Sequence, residues 1–189
     1  MTIAPDAVLL VVDVQKGFDR LNETLHRTTP ALERNIARLL EAWRNRGRPV
    51  VFVQHLSRLV DSPLRPNQTG VEIKDEVRPL PAEPIVQKSV SSAFIGTSLE
   101  AQLRAAGRRA LVITGMQTNM CVSTTARMAG NLGFDTYVVS DATATFDNTG
   151  PDGRHYPAQL LHDVALADLH GEFATVLDTA SVLAALEDQ

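Results

Sequence analysis

Short, wholly apolar runs separated by helical patterns constrain this chain most. Val8-Leu9-Leu10-Val11-Val12 is apolar at every position, which predicts a strand covered on both faces. A helix pattern follows over 30–46, with Leu32, Ile36, Leu39, Leu40 and Trp43 as its apolar stripe. Thr29 reads as its cap and Pro30 as its first residue. The alternation then recurs. Further strands are expected over 50–53, 85–86, 110–113, 136–139 and 174–176. Thr97-Ser98-Leu99-Glu100 is a capping-box pattern opening a helix that ends at Gly107. Other helices are expected over 119–132, 157–169 and 178–186. Strands alternating with helices of this length imply crossover connections and a parallel α/β sheet.

The 189 residues fit one domain spanning 1–189. With 44% apolar and 21% charged residues and a formal charge of -4, the composition is that of an ordinary globular protein. There is no basic stripe to suggest a nucleic-acid partner. No stretch approaches the ~20 apolar residues of a membrane helix. The polar start, Met1 to Asp6, does not resemble a secretory signal. A single cysteine excludes an intrachain disulfide and a cysteine-rich zinc site. The expected compartment is the reducing cytoplasm.

Two segments break the rhythm. Residues 56–84 hold five of the ten prolines, and 141–156 are polar and glycine-containing. Loops this long in a compact domain are usually functional or disordered. Both are candidate pocket walls.

Open parallel sheets bind ligands beyond the carboxyl ends of their strands. The polar residues there are Asp13, Gln54 and His55, Lys88, the run Gly115 to Cys121, and Asp141. Thr118 or Asn119 capping the following helix would put Cys121 in its first turn. There the helix dipole would lower the thiol pKa below its ordinary ~8.5. A carboxylate such as Asp13 could take the thiol proton, and an ammonium such as Lys88 would favour thiolate.

At this point the chain resembles the isochorismatase-like cysteine hydrolases, a superfamily that includes nicotinamidases and N-carbamoylsarcosine amidase. The likeness rests on Leu10-Val11-Val12-Asp13-Val14-Gln15, on Gln87-Lys88 leading to Ser92-Ala93-Phe94, and on Gly115-Met116-Gln117-Thr118-Asn119-Met120-Cys121-Val122. Thr125-Ala126-Arg127 and Ser140-Asp141-Ala142 extend it over nearly the whole chain. The resemblance implies a three-layer αβα fold with a six-stranded parallel sheet in the order 3-2-1-4-5-6. It implies a catalytic triad of Asp13, Lys88 and Cys121. It also implies a cis peptide bond between Met116 and Gln117, with the backbone N–H groups of Gln117 and Cys121 forming an oxyanion hole. Gln15, Phe18, His55 and Phe94 are candidate substrate contacts. For Asp141, a structural hydrogen-bonding role weighs at least as much as a catalytic one.

The expected reaction is hydrolysis of a small non-peptide C–N bond (amide, ureide or carbamoyl) through a thioester. Vinyl ether hydrolysis of the isochorismatase type, which needs an acid but no cysteine, is one alternative. A non-catalytic oligomeric binding protein is another. Nicotinamidases carry an Asp-x-His pair after strand two, where this chain reads Val53-Gln54-His55-Leu56-Ser57-Arg58. No metal and no cofactor are therefore expected. His26, His155, His162 and His170 are scattered. The expected partners are a small-molecule substrate and further copies of the chain, as a dimer or tetramer. The marks of serine hydrolases, dinucleotide enzymes, P-loop enzymes and zincins are missing.

Overall fold

A computed structural model describes residues 3–187. The chain opens with β1 (Val8–Val12), α1 (Gly17–Asn22), α2 (Leu32–Asn45), β2 (Val50–His55) and β3 (Ile85–Lys88). It continues with α3 (Leu99–Ala105), β4 (Ala110–Met116), a π-helical turn (Thr118–Val122) and α4 (Ser123–Asn131). It closes with β5 (Asp135–Ala144), α5 (Ala158–Leu169), β6 (Thr175–Leu177) and α6 (Thr179–Glu187). A two-residue ribbon pairs Asn148–Thr149 with His155–Tyr156. The six strands form one parallel sheet in the order β3-β2-β1-β4-β5-β6, as the resemblance implied.

The uniform apolarity of β1 has a direct cause. Successive side chains of a strand point to opposite faces. Leu9 and Val11 join one core with Ile36, Leu40 and Trp43 of α2 and Val182 of α6. Val8, Leu10 and Val12 join the other with Leu99 of α3, Ala126 of α4 and Leu169 of α5. Neither face of the strand meets water. Trp43 lies fully buried and donates its indole N–H to the Ala7 carbonyl at 3.0 Å, so its one polar atom is satisfied.

Several local expectations need correction. The α2 helix starts at Leu32, with Ala31 as its cap. Thr29 instead has φ +52° and offers its backbone carbonyl to Leu32 N–H. The capping box at α3 does not form. Glu100 binds Arg104, while the Thr97 hydroxyl donates to Ala93 O. The strands β2, β3 and β4 run past their apolar cores to His55, Lys88 and Met116. The first residues of the 141–156 segment complete β5, after a register irregularity between Ile113 and Gly115 of β4. The short helix α1 carries Phe18 and was not foreseen. Among the described residues, no helix is long and apolar enough to cross a membrane.

The order reverses between β1 and β4, which lie side by side with Val12 opposite Gly115. Gly115 has φ +116°, and a Cβ there would overlap the Val12 carbonyl oxygen. Only glycine lets the two strands run this close at the switch point. The ends of β1, β3 and β4 therefore open onto one place.

Candidate active site

Three elements deliver three side chains to that place. Asp13 follows β1 with φ +53°, a left-handed conformation that Asp tolerates better than most residues. Lys88 is the last residue of β3. Cys121 lies in the π-helical turn after β4. The Lys88 ammonium donates to Asp13 Oδ2 at 2.6 Å and to Cys121 Sγ at 3.2 Å. The Lys88 and Asp13 side chains are 0% and 1% exposed, so the ion pair is screened hardly at all by solvent. The second carboxylate oxygen, Asp13 Oδ1, is buried without a hydrogen-bond partner. It remains an open acceptor.

His55, the last residue of β2, supplies a third contact. Its Nδ1 lies 3.1 Å from Lys88 Nζ. An ammonium has only donors, so Nδ1 accepts and the ring proton sits on Nε2. Burial first, and then the Lys88 charge, hold the imidazole down at about 4, so it is neutral near pH 7. Gln15 fixes this residue from the backbone side. Its carboxamide accepts from His55 N–H at 2.8 Å and donates to His55 O at 3.0 Å and Val71 O at 2.9 Å. Gln15 is fully buried and does not line the cavity described below.

The electrostatics differ from the expectation at Cys121. Burial, and next the Asp13 charge, push the thiol up to about 12 despite the pull of Lys88. Neither Thr118 nor Asn119 caps the turn with its side chain. The Thr118 hydroxyl pairs with His162 Nδ1 at 2.9 Å, and Asn119 Oδ1 accepts from the Thr145 hydroxyl. Burial and the Asp13 charge thus act against the lowered thiol pKa that the sequence predicts. Burial also pushes the Asp13 carboxyl up to about 6, with Lys88 offsetting only part of that rise. The peptide bond between Met116 and Gln117 is cis.

A cavity of about 360 Å³ opens over these groups. Asp13, His55 and Cys121 line it, as do Phe18 and Gln117. Ser57, Leu59, Pro63 and Leu64 of the expected 56–84 pocket wall also line it, and Leu21 and Met120, which the sequence reading did not assign to the site, are among the rest. For the 56–84 segment, proline content was the available signal. Phe94 does not reach the cavity. It stacks on Phe134 in the core, with ring centroids 5.9 Å apart. The 141–156 segment contributes nothing to this cavity. Asp141 is structural, accepting from Thr179 N–H at 2.7 Å and from the Asn35 amide at 3.2 Å. A larger groove of about 660 Å³ lies between α4 and α5, but none of the three clustered residues lines it.

Reading the region after β2 alone missed one constellation. Donor atoms of Asp13, His55 and Cys121 lie within 4.8 Å of one another, a spacing that could hold a cation. The Lys88 ammonium already hydrogen-bonds all three residues. The donor set thus has an organic cation of its own.

The isochorismatase domain matches residues 7–181. The chain belongs to the isochorismatase family. Isochorismatase family protein YrdC of Bacillus subtilis is 45% identical over 175 residues, covering 93% of each chain. Streptothricin hydrolase of Streptomyces noursei is 38% identical over 74% of this chain and 50% of its own length. Ureidoacrylate amidohydrolase RutB of Variovorax paradoxus is 30% identical over 74% of this chain and 69% of its own. The crystal structure of an isochorismatase-family protein from Chromobacterium violaceum superposes with a TM-score of 0.95 at 41% identity, covering 100% of this chain and 98% of that one. This isochorismatase-family hydrolase thus has amide hydrolases among its relatives and the shared fold over its whole length.

Proposed function

We propose that the protein is a cysteine amidohydrolase that cleaves a small non-peptide C–N bond without a metal. The observation that carries this reading is the buried Lys88 ammonium, held 2.6 Å from Asp13 Oδ2 and 3.2 Å from Cys121 Sγ, two groups that line a small cavity. Relatives named as an amidohydrolase and a streptothricin hydrolase support it.

The chemistry follows from the proton positions. A thiol pushed up to about 12 beside a carboxyl near 6 does not ionise on its own. Asp13 therefore takes the thiol proton as sulfur attacks the amide carbonyl, a concerted general-base step. The C–S bond forms and the carbonyl oxygen becomes an oxyanion. Backbone N–H groups of Gln117 and Cys121 are the proposed donors to it, each typically worth about 10²–10³ in rate. Lys88 balances the charge moving between sulfur and carboxylate. Asp13 then gives its proton to the leaving nitrogen, the C–N bond breaks, and a thioester remains on Cys121. Water replaces the amine, loses a proton to Asp13 and attacks the thioester. The acid departs, and the proton on Asp13 returns to sulfur.

Cys121→Ala tests this. Ammonia release from any amide substrate should vanish, and a stoichiometric acyl adduct should be trapped on Cys121 in the unsubstituted enzyme. A full-rate Cys121→Ala variant would overturn the mechanism.

A further inference from the structure

We infer that the cavity selects an uncharged substrate with an apolar acyl group and turns away one whose acyl group carries a carboxylate. This rests on the reading of Cys121 as the reacting group and adds the substrate class.

The charge inventory of the cavity carries the argument. Phe18, Leu21, Leu59, Pro63, Leu64 and Met120 supply its apolar surface. The ionisable side chains lining it are Asp13, His55 and Cys121, and no lysine or arginine is among them. His55 is held neutral, and Asp13 pairs with Lys88. Lys88 is the cation that touches the lining groups, and its three N–H bonds are directed at Asp13, His55 and Cys121. Three is all an ammonium has. It has no donor left for a substrate anion. The arginines of the neighbouring loop do not line the cavity: Arg58 donates to Ser89 Oγ at 2.8 Å and Arg65 to Val60 O at 3.5 Å. The Ser57 and Ser62 hydroxyls accept from the backbone N–H groups of Leu59 and Leu64.

A carboxylate entering this space would lose water, find no counter-ion and face Asp13. Buried charges persist only when paired. A like-charge juxtaposition costs several kcal/mol, so discrimination of about 10²-fold or more is expected. The cavity of about 360 Å³ is at the small end for ligand sites, which limits the acyl group to a few carbons or one ring.

Two matched comparisons test this. Cys121 is the chain's only thiol, so iodoacetamide and iodoacetate are a neutral and an anionic probe of the same atom. Normalised to free cysteine, Cys121 should favour iodoacetamide by about 10²-fold or more. Ser91 lies on the exposed rim, and Ser91→Arg should shrink that preference about tenfold by adding a cation. In hydrolysis, pentanamide should exceed glutaramate, its carboxylate-ended counterpart, by a similar factor in kcat/KM. A labelling preference equal to that of free cysteine, no labelling by either reagent, or glutaramate turned over as fast as pentanamide would overturn the inference. The labelling arm needs no turnover. A full-rate Cys121→Ala variant would thus sink the nucleophile while leaving the charge selection measurable.

Discussion

His55 Nδ1 stands 3.1 Å from Lys88 Nζ and accepts one of its protons. We propose that the imidazole is a positioning group, acting on the sulfur through the lysine. His55→Leu removes the acceptor and lets the ammonium drift. We expect kcat to fall about 10- to 100-fold, the size of a lost charge-assisted hydrogen bond. Alkylation of Cys121 at fixed pH should slow in parallel. His55→Asn, which keeps an acceptor near the Nδ1 position, should recover part of both. A change in KM alone would instead make His55 a substrate contact.

Asp13→Asn should separate hydrolysis from thiol reactivity. Without its base the enzyme should lose about 10²–10⁴ in kcat. The Asp13 charge is one of the forces holding the thiol up, so its removal should make Cys121 alkylate faster at a given pH. Undiminished hydrolysis in Asp13→Asn would remove Asp13 from the role of base.

The pH profile follows from the same carboxyl. With Asp13 near 6, kcat/KM should rise with pH up to about 6 and level off above it. Stability should move the other way. The folded value lies above the ordinary 3.8, so the native state binds the proton more tightly. The stabilising contribution is complete below about pH 4 and is lost as pH rises through about 6. Rate and denaturant-melt profiles over this range check both signs.

Chelators should leave the rate unchanged, because Lys88 already engages Asp13, His55 and Cys121. Hydrolysis lost on chelation and restored by zinc or iron would refute the ammonium as the site's cation.

Glu33 on α2 predicts acid lability with the opposite sign to Asp13. Burial pushes its carboxyl up, but hydrogen bonds from Arg27 and Lys74 outweigh that and hold it at about 2. Its contribution is full above its ordinary 4.5 and is lost as pH falls through about 2. Glu33→Gln should cost about 1.5 kcal/mol in urea unfolding near pH 7, since buried Lys74 would lose one charged partner while keeping Asp19.

Much of this architecture was readable from periodicity. The β1 run announces a strand buried on both sides because each of its faces meets a separate core. Asp13, Lys88 and Cys121 could be placed at strand ends, and motif order tied them together. Their consequences could not be read. The thiol pKa depends on burial and on the distance to Asp13, and a linear sequence contains neither. Gln15 and Phe94 sat in matching motifs yet turned out to clamp backbone and fill core. Residue type cannot tell a side chain facing a cavity from one facing the interior. The polar stretch at 141–144 passed for loop because β5 lies inside the sheet, where its polar groups find partners such as Thr179 and Asn35.

The Val71 carbonyl accepts amide protons from both Gln15 and Gln54, at 2.9 and 2.8 Å. The 56–84 segment is therefore tied near its middle to the residues that follow β1 and end β2. Residues 57–64 reach the cavity and rest against that anchor, where a Cβ at Gly70 would strike the Pro63 carbonyl oxygen. Residues 69–77 belong with the frame, and a graft that carried them along would have to bring its own partners for Gln15 and Gln54. Diversification of what this scaffold accepts has a natural boundary there, set by one shared oxygen atom.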